Sequence, residues 1–234
     1  MITINNNMYV LDTDNTSYAF AVLGSGQLEH LYYGRKLHAN EAVMTEKHTF
    51  IPGNTNVYNK DYSSYSLEDV CLEMSSLGKG DIREPFIEVT YPNGSSTTDM
   101  VFDRAEIIQG KEEYDTLPGS YDDNGEVEQL VIYLKDRNYN LTLELHYYVY
   151  EKCDIITRSA KLVNSGNESV RLERLMSMQL DLNESDYELS FFNGAWAREM
   201  NRSRIPIRAG KYVNESVTGT SSNRANPFFM IGRS

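Results

Sequence analysis

The segment from Asn193 to Phe229 holds the most unusual combination of side chains in this sequence. It contains the single tryptophan, Trp196, and five arginines, although the whole chain carries a formal charge of -12. A nucleic-acid-binding arm would need a positive field and an unbroken basic run, and acidic and apolar residues interrupt these arginines. Guanidinium groups and indole rings anchor many protein interfaces because both are planar and bury well. The segment therefore predicts a contact surface for another domain or subunit, and no nucleic-acid partner.

The remaining groups that could do chemistry match no catalytic or metal-binding motif. The sequence has no G-x-S-x-G and neither an H-x-x-x-H nor a C-x-x-C spacing, so we expect no metal or other cofactor. His30 and His146 alternate outward on predicted strands, where a histidine is more often structural than catalytic. Asp81 and Glu84 flank Arg83, and an ion pair that fixes this loop is favoured over a pair of glycosidase carboxylates.

The elements that must position these residues follow a period of two. In LTLELHYYV, Leu143, Leu145 and Tyr147 fall on one face of a strand, while Glu144 and His146 fall on the other. VIYL and the turn-forming DRNYN precede this strand, and together they predict a β-hairpin. The pattern is therefore that of a half-buried strand rather than a helix.

Similar patterns extend along most of the chain. Hairpins are predicted for YAFAVL and QLEHLYYG around GSG, and for PFIEVTY and STTDMVF around PNGS. Two further long strands are predicted over 153–163 and 170–182, and helix is limited to one short turn within 66–74. Long antiparallel strands with few short helices predict an all-β fold, a large two-sheet sandwich that forms one domain over 1–234.

One long polar segment, 38–65, does not fit the strand pattern. Loops of this length without secondary structure are usually functional or disordered. The N-terminus lacks a secretory signal, and no apolar stretch approaches the roughly 20 residues of a membrane helix. Cys71 and Cys153 lie in no motif and are interpreted as reduced packing residues, so we expect a cytoplasmic protein with no membrane partner.

Six motifs in a fixed order resemble one enzyme family. They are HLYYG (30–34), GDIREPFIEV (80–89), YEKCDIITRSAKLVNSG (150–166), LERLMSMQLDL (172–182), GAWAREM (194–200) and TGTSSNRANPFF (218–229). Together they resemble the N-terminal domain of the α-galactosidases of glycoside hydrolase family 36, of the bacterial tetrameric type. Each motif alone is weak, but their shared order and spacing over nearly the whole chain are specific.

The resemblance implies a fold and an activity. It implies a β-supersandwich of the galactose-mutarotase type, followed after residue 234 by a catalytic (β/α)₈ barrel. The intact enzymes of the family hydrolyse terminal α-galactosides, such as melibiose and raffinose-type sugars, with retention of configuration. Two barrel aspartates carry this chemistry, so we expect no catalytic residue in this chain and no activity from it alone. The expected partners are the barrel, further copies of the chain in a tetramer, and the α-galactoside substrate.

The resemblance also implies a loop at the rim of a neighbouring subunit's active site, which corresponds to the segment 38–65. Family members often carry an acidic residue and an arginine in this loop. The arginine position corresponds to Ser63, which is a departure from the family pattern. The residues assigned to the rim are Glu46, Lys47, His48, Tyr62 and Ser63.

The family likeness gives the opening segment a structural role. The residues expected to face the barrel or a second subunit are Trp196, Arg198 and Glu199. The residues expected to fix the loop that leads toward the barrel are Ser221, Ser222, Asn226 and Pro227. We expect Trp196 to be half-exposed in this chain.

Two other functions stay open on the sequence. The first is a free-standing carbohydrate-binding β-sandwich module, which would bind galactose by itself. The second is a mutarotase-like enzyme, which would need a His–Glu pair on a concave face, with His30 or His146 as the histidine.

Overall fold

A computed structural model of the protein describes residues 1–38, 56–182, 186–219 and 223–233. The chain divides into two compact units, Met1–Asp181 and Leu182–Ser234. Every pair of strands in the described residues is antiparallel. The predicted all-β class is confirmed, whereas one domain over 1–234 with a barrel after it stays a prediction.

In the residues that the structure describes, the first unit contains ten strands and three short 3₁₀ helices. The strands are β1 (Ile2–Asn5), β2 (Met8–Asp12), β3 (Thr16–Val22), β4 (Leu28–Arg35), β5 (Ile87–Thr90), β6 (Met100–Gln109), β7 (Glu128–Asp136), β8 (Leu141–Tyr150), β9 (Ile155–Asn164) and β10 (Arg171–Leu175). The 3₁₀ helices are Lys60–Tyr62, Leu67–Asp69 and Glu151–Cys153. The second of these confirms the short helical turn predicted within 66–74.

The first unit has two layers of strands. The first layer contains β1, β2, β3 and β4 in that order, and the pair formed by β5 and β10. Segment 72–76 connects these sheets, because Leu72 bridges to Glu29 on β4 and Ser76 bridges to Ile87 on β5. The second layer contains β6, β7, β8 and β9 in that order. This arrangement agrees with the predicted two-sheet sandwich.

The core lies between the two layers. Phe20 on β3 stacks against Tyr147 on β8, with ring centroids 5.2 Å apart. Ile87 on β5 and Leu143 and Leu145 on β8 belong to the same buried cluster. Burying each such side chain stabilises the fold by roughly 1.5–3 kcal/mol, so the apolar face of the alternating pattern determines which side of each strand turns inward.

Both histidines are buried, so the outward assignment is wrong for His30, whereas His146 has the outward position but not the exposure. His30 on β4 bonds Glu73 of the segment 72–76, which lies beside it. His146 on β8 lies on the face opposite the core, where the segment 111–120 adds a further covering. The alternating pattern correctly predicted which side chains share a face, but it could not show that remote segments cover the second face.

Two predicted strand arrangements are also wrong. PNGS does form a turn, in which the Gly94 N–H donates to the Tyr91 carbonyl, but the strands on either side do not form a hairpin. β5 pairs with β10 and β6 pairs with β7. The long strand predicted over 170–182 is only β10, which has a bulge between Leu172 and Arg174.

The second unit is a three-stranded sheet. Its strands are β11 (Tyr187–Ala195), β12 (Arg198–Pro206) and β13 (Ala225–Arg233). β11 lies in the centre and pairs with β12 on one side and β13 on the other. The sheet thus contains three of the five arginines of the segment that the sequence singled out.

Candidate functional site

Trp196 lies at the tip of the hairpin between β11 and β12, where Ala195 pairs with Arg198. Ala197 adopts a left-handed backbone, with φ of 59°. Its N–H donates to Oε1 of Glu199 at 2.9 Å, which fixes the turn. The indole is 88% exposed, which is more than the half-exposure expected from the sequence. Its proposed role as an interface anchor stays a prediction.

Gly194 allows this hairpin to close. A Cβ at this position would lie 2.7 Å from the carbonyl oxygen of Arg198 and 2.9 Å from that of Asn223. Contacts this short to backbone atoms exclude any side chain. The close approach therefore explains a glycine beside the tryptophan.

The three-stranded sheet exposes many large apolar side chains. They include Ile205, Ile207, Phe228, Phe229, Met230 and Ile231. A cavity of about 610 Å³ is lined by four of them, Ile205, Ile207, Phe229 and Ile231, and also by Leu189, Pro227 and Tyr212. Single apolar side chains are ordinary on a protein surface, but a contiguous apolar patch marks a contact surface.

The polar residues assigned to this region have defined positions. Asn226 donates from Nδ2 to the Phe192 carbonyl at 3.2 Å, and its own carbonyl accepts from Asn214 Nδ2 at 2.7 Å. Asn226 therefore fixes the start of β13 to β11 and to the segment around Asn214 that precedes β13. Arg198 and Glu199 are exposed. Ser221 and Ser222 lie outside the described residues.

The structure describes part of the predicted rim loop. Glu46, Lys47 and His48 lie outside the described residues. Tyr62 ends the first 3₁₀ helix and packs against Gly24, where a Cβ would lie 2.8 Å from the Tyr62 ring. Ser63 follows it and is exposed. Tyr62 therefore anchors this end of the loop to the β3–β4 hairpin, and the contact with sugar stays a prediction.

A buried charged cluster, which we call the Glu73 cluster, lies within the first unit. The Glu73 carboxylate accepts from the Tyr18 hydroxyl at 2.6 Å and the Tyr147 hydroxyl at 2.8 Å, and it forms an ion pair with Arg158, whose Nη2 lies 3.2 Å away. Its Oε1 also lies 2.8 Å from His30 Nδ1. Residues from β3, β4, β8, β9 and segment 72–76 meet here, so the cluster connects the two layers.

The charges of the Glu73 cluster compensate one another. Burial alone would raise the pKa of Glu73, but Arg158 and His30 outweigh it and hold that pKa below its ordinary value. Arg158 also donates from Nη1 to the Gln179 carbonyl at 2.7 Å. Burial raises the pKa of Tyr18 and of Tyr147 well above the ordinary value, so both stay protonated donors.

The Glu73 cluster contains a His–Glu pair, His30 and Glu73, of the kind that a mutarotase-like function would need. The geometry of this pair is unsuited to that function. The His30 and Glu73 side chains are 5% and 0% exposed. Both oxygens of Glu73 already accept hydrogen bonds from the surrounding side chains, so neither is free to take a proton from a sugar hydroxyl. A general base must reach its substrate, so the structure favours a structural role. No sequence motif pointed to Glu73 or Arg158. The one available signal was a charged residue on the inward face of a strand, because Arg158 on β9 lies opposite Tyr147.

The loop around Arg83 matches the predicted ion pair. Arg83 Nε lies 2.9 Å from Asp81, Nη2 donates to the Leu67 carbonyl at 2.8 Å, and Nη1 contacts the Asp181 carboxylate. Glu84 instead pairs with Arg174 at 2.9 Å. Arg83 thus fastens three separate segments, and the two acidic residues do not act as a pair.

Metal-binding groups, membrane-spanning helices and cysteine thiols bear on other classes of function. Within the described ranges, no group of three or more acidic, histidine or cysteine side chains could hold a metal ion. No helix in the part of the chain that the structure describes is long and apolar enough to cross a membrane. Cys71 and Cys153 form no disulfide, and Cys153 is exposed, so its interpretation as a packing residue is wrong.

These features define an all-β sandwich domain with an exposed apolar sheet and a buried charged cluster. Residues 26–234 match the model of the glycosyl hydrolase family 36 N-terminal domain. This chain belongs to that family.

Relatives with known names and structures are α-galactosidases. The chain is 34% identical over 227 residues to α-galactosidase AgaA of Geobacillus stearothermophilus, covering 94% of this chain and 30% of that protein. It is 33% identical to the bifunctional α-galactosidase/sucrose kinase AgaSK of Mediterraneibacter gnavus, covering 97% of this chain and 24% of that protein. The chain thus spans less than a third of the length of either relative.

Solved structures share the fold. The α-galactosidase from Lactobacillus brevis superimposes with a TM-score of 0.90 at 34% identity, covering 98% of this chain and 32% of that chain. An AgaA variant in complex with raffinose gives a TM-score of 0.90 at 32% identity, covering 96% of this chain and 31% of that chain. The family resemblance read from the six motifs is confirmed.

Proposed function

We propose that this chain is the N-terminal domain of an α-galactosidase. The intact enzyme hydrolyses terminal α-linked galactose in sugars such as melibiose and raffinose, with retention of configuration. The family membership supports this proposal, as do the names of the relatives and the raffinose bound to one of them. Retaining hydrolysis uses two carboxyl groups roughly 5–5.5 Å apart, and the family resemblance assigns both to a barrel that follows residue 234.

The role of this domain is to support the catalytic part and the assembly of subunits. The observation that carries this role is the exposed apolar sheet of the second unit, with Trp196 at its hairpin tip and Phe229 and Ile231 on β13. A patch of this kind is costly to leave in water and gains stability when another surface covers it. The covering surfaces are the barrel and a neighbouring subunit of a tetramer, in a cytoplasmic enzyme, with the segment 38–65 at the rim of the active site.

A comparison of two proteins tests the proposal. The chain of residues 1–234 is expected to leave a chromogenic α-galactoside intact, whereas the polypeptide extended by the following coding sequence is expected to hydrolyse it. Hydrolysis by residues 1–234 at the rate of the extended protein would overturn the proposal. So would an extended protein without activity.

A substitution tests the interface. Trp196→Ala is expected to leave the Tm of residues 1–234 unchanged, because the indole is exposed, and to lower the stability or subunit assembly of the extended protein. Val217→Ala is a suitable control, because this exposed side chain lies outside the strands. Equal effects of the two substitutions on the extended protein would argue against an anchor at Trp196.

A further inference from the structure

A second cavity, of about 1060 Å³, lies along β9, the last strand in the order of the second layer. On the face opposite the core, the outward side chains of β8 and β9 form its floor and the segment 111–120 forms its wall, and around the edge of β9 the cavity also reaches Arg158, Leu162 and Leu175. The residues that carry the argument are Lys111, Tyr114, His146, Tyr148, Thr157 and Ser159. A cavity of this size can hold a disaccharide or trisaccharide, since ligand pockets usually measure roughly 300–1,000 Å³. We call it the strap cavity.

Several hydroxyl groups lie close together in the lining of the strap cavity. The Tyr114 hydroxyl lies 2.8 Å from that of Tyr148 and 2.5 Å from Ser159 Oγ. The Thr157 hydroxyl, on the same strand, is buried and makes no hydrogen bond within the described residues. A hydroxyl both donates and accepts, so such a set suits a ligand whose own groups do the same.

The charges at the floor are already paired. Gln129 Nε2 donates to His146 Nδ1 at 2.8 Å, so the ring proton sits on Nε2, which donates to Glu144 at 3.3 Å. Burial lowers the pKa of His146, against the opposing effect of Glu144, and the ring is neutral near pH 7. Lys161 lies 3.4 Å from the same carboxylate. The floor therefore presents a fixed, neutral hydrogen-bonding surface.

The wall of the cavity disfavours anions and offers an aromatic surface. Glu112, Glu113 and Asp115 are exposed on the wall and repel negative ligands. The Lys111 ammonium lies 4.5 Å from the centre of the Tyr114 ring and 5.1 Å from that of Tyr148. This places one positive charge against the rings, and the partly exposed Tyr114 ring remains as an apolar surface beside the hydroxyl groups.

We propose that the strap cavity binds a neutral sugar, and in particular the galactosyl group of an α-galactoside. The hydroxyls of Tyr114, Tyr148 and Ser159 bond the sugar hydroxyls, and the Tyr114 ring packs against its C–H face. The choice of a galactosyl sugar rests on the proposed function, whereas the preference for a neutral polyhydroxyl ligand rests on the cavity itself. The domain would then hold substrate as well as support the catalytic part.

Titration of residues 1–234 with raffinose tests this proposal. Calorimetry and ligand-observed saturation-transfer NMR are expected to show saturable binding of raffinose and melibiose, and at least tenfold weaker binding of sucrose, which lacks the galactosyl group. The backbone amide signals of His146, Tyr148 and Ser159 are expected to shift on binding. No saturable binding, or equal binding of raffinose and sucrose, would overturn the proposal.

Matched variants locate the site. Tyr114→Phe combined with Ser159→Ala is expected to weaken raffinose binding at least tenfold, which corresponds to about 1.4 kcal/mol. Tyr133→Phe is the control, because its hydroxyl bonds Glu106 outside the cavity. If the double variant has a lowered Tm, Ser159→Ala alone provides the test, with a loss of at least threefold expected. Unchanged binding in these variants would place the sugar elsewhere and overturn the proposal.

This test is independent of the hydrolysis assay. If the extended protein hydrolyses the substrate but residues 1–234 bind no sugar, the proposal for the strap cavity is overturned and the proposed function is kept. Sugar binding that the double variant weakens, together with an inactive extended protein, would support the cavity and overturn the proposed function.

Discussion

Replacing Glu73 by glutamine removes the one carboxylate of the Glu73 cluster without changing its shape. Arg158 would then be left buried without its counter-charge, and Tyr18 and Tyr147 would compete for a single acceptor oxygen. Breaking a buried ion pair by removing one partner costs about 3–5 kcal/mol. This is a large share of the total stability of a domain, which is about 5–15 kcal/mol. For a chain of this length the expected fall in Tm is about 6–20 °C.

The two units of the chain can be followed separately in this experiment. Fifteen of the seventeen tyrosines lie at positions 1–181, whereas the single tryptophan lies in the second unit. Tyrosine near-ultraviolet circular dichroism therefore reports mainly the first unit, and amide hydrogen exchange of β11, β12 and β13 reports the second. Glu126→Gln is the control, because it removes an exposed ion pair with Lys152 and should leave Tm unchanged. A loss below about 1 kcal/mol for Glu73→Gln would refute the reasoning.

The same variant has an expected dependence on pH. The pKa of Glu73 in the folded protein lies below its ordinary value, because Arg158 and His30 outweigh the effect of burial. The unfolded chain therefore binds more protons in acid, and the contribution of Glu73 is fully present above about pH 4.3. It is lost as the pH falls through the lower folded pKa. The stability difference between wild type and Glu73→Gln should shrink below that pH in urea unfolding, and a constant difference would contradict the ionic model.

Three further predictions concern separate parts of the fold. Gly194→Ala should destabilise the second unit by about 1–3 kcal/mol, because its Cβ would lie 2.7 Å from the Arg198 carbonyl oxygen. Gly232→Ala, with open space around it, should be neutral, and amide hydrogen exchange of the second unit measures both effects. Arg83→Lys should lower the free energy of unfolding of the first unit by about 1–2 kcal/mol and so lower its Tm, because lysine lacks the planar guanidinium that bonds three segments. An unchanged Tm would argue against that role. His146→Gln should flatten the dependence of stability on pH. Burial lowers the folded pKa of His146, so the stability is present above about pH 6.5 and is lost below it in the wild type alone.

Local pattern was enough to predict much of the fold. The hairpin of β7 and β8 follows from alternating apolar residues on either side of a turn-forming segment, and the buried face of β8 is the one that the pattern indicates. Six short motifs identified the family, because their order along the chain is itself a strong constraint. These features depend on neighbours in the sequence, so the sequence alone determines them.

Contacts between distant segments were not predictable in the same way. The turn at PNGS forms, but β5 leaves it to pair with β10, some eighty residues further along, because Leu172 and Leu175 supply its apolar partners. His146 is buried because the segment 111–120, which carries no strand pattern, lies over it, and His30 is buried between the layers beside Glu73. A period of two indicates that a strand has two faces, but only the tertiary structure decides what covers each face.

The same distinction between local sequence pattern and contacts of distant segments applies to the candidate sites. The sequence by itself determined that tryptophan and arginine gather in one segment of an acidic chain, and the structure exposes that segment on one sheet. Only the tertiary structure brings Glu73 beside Arg158, and Tyr114 beside Tyr148 and Ser159. A charge or a hydroxyl in the sequence has no partner until the chain folds. Since burial makes an unpaired polar group costly, the fold determines which of these residues lie together and what they can bind.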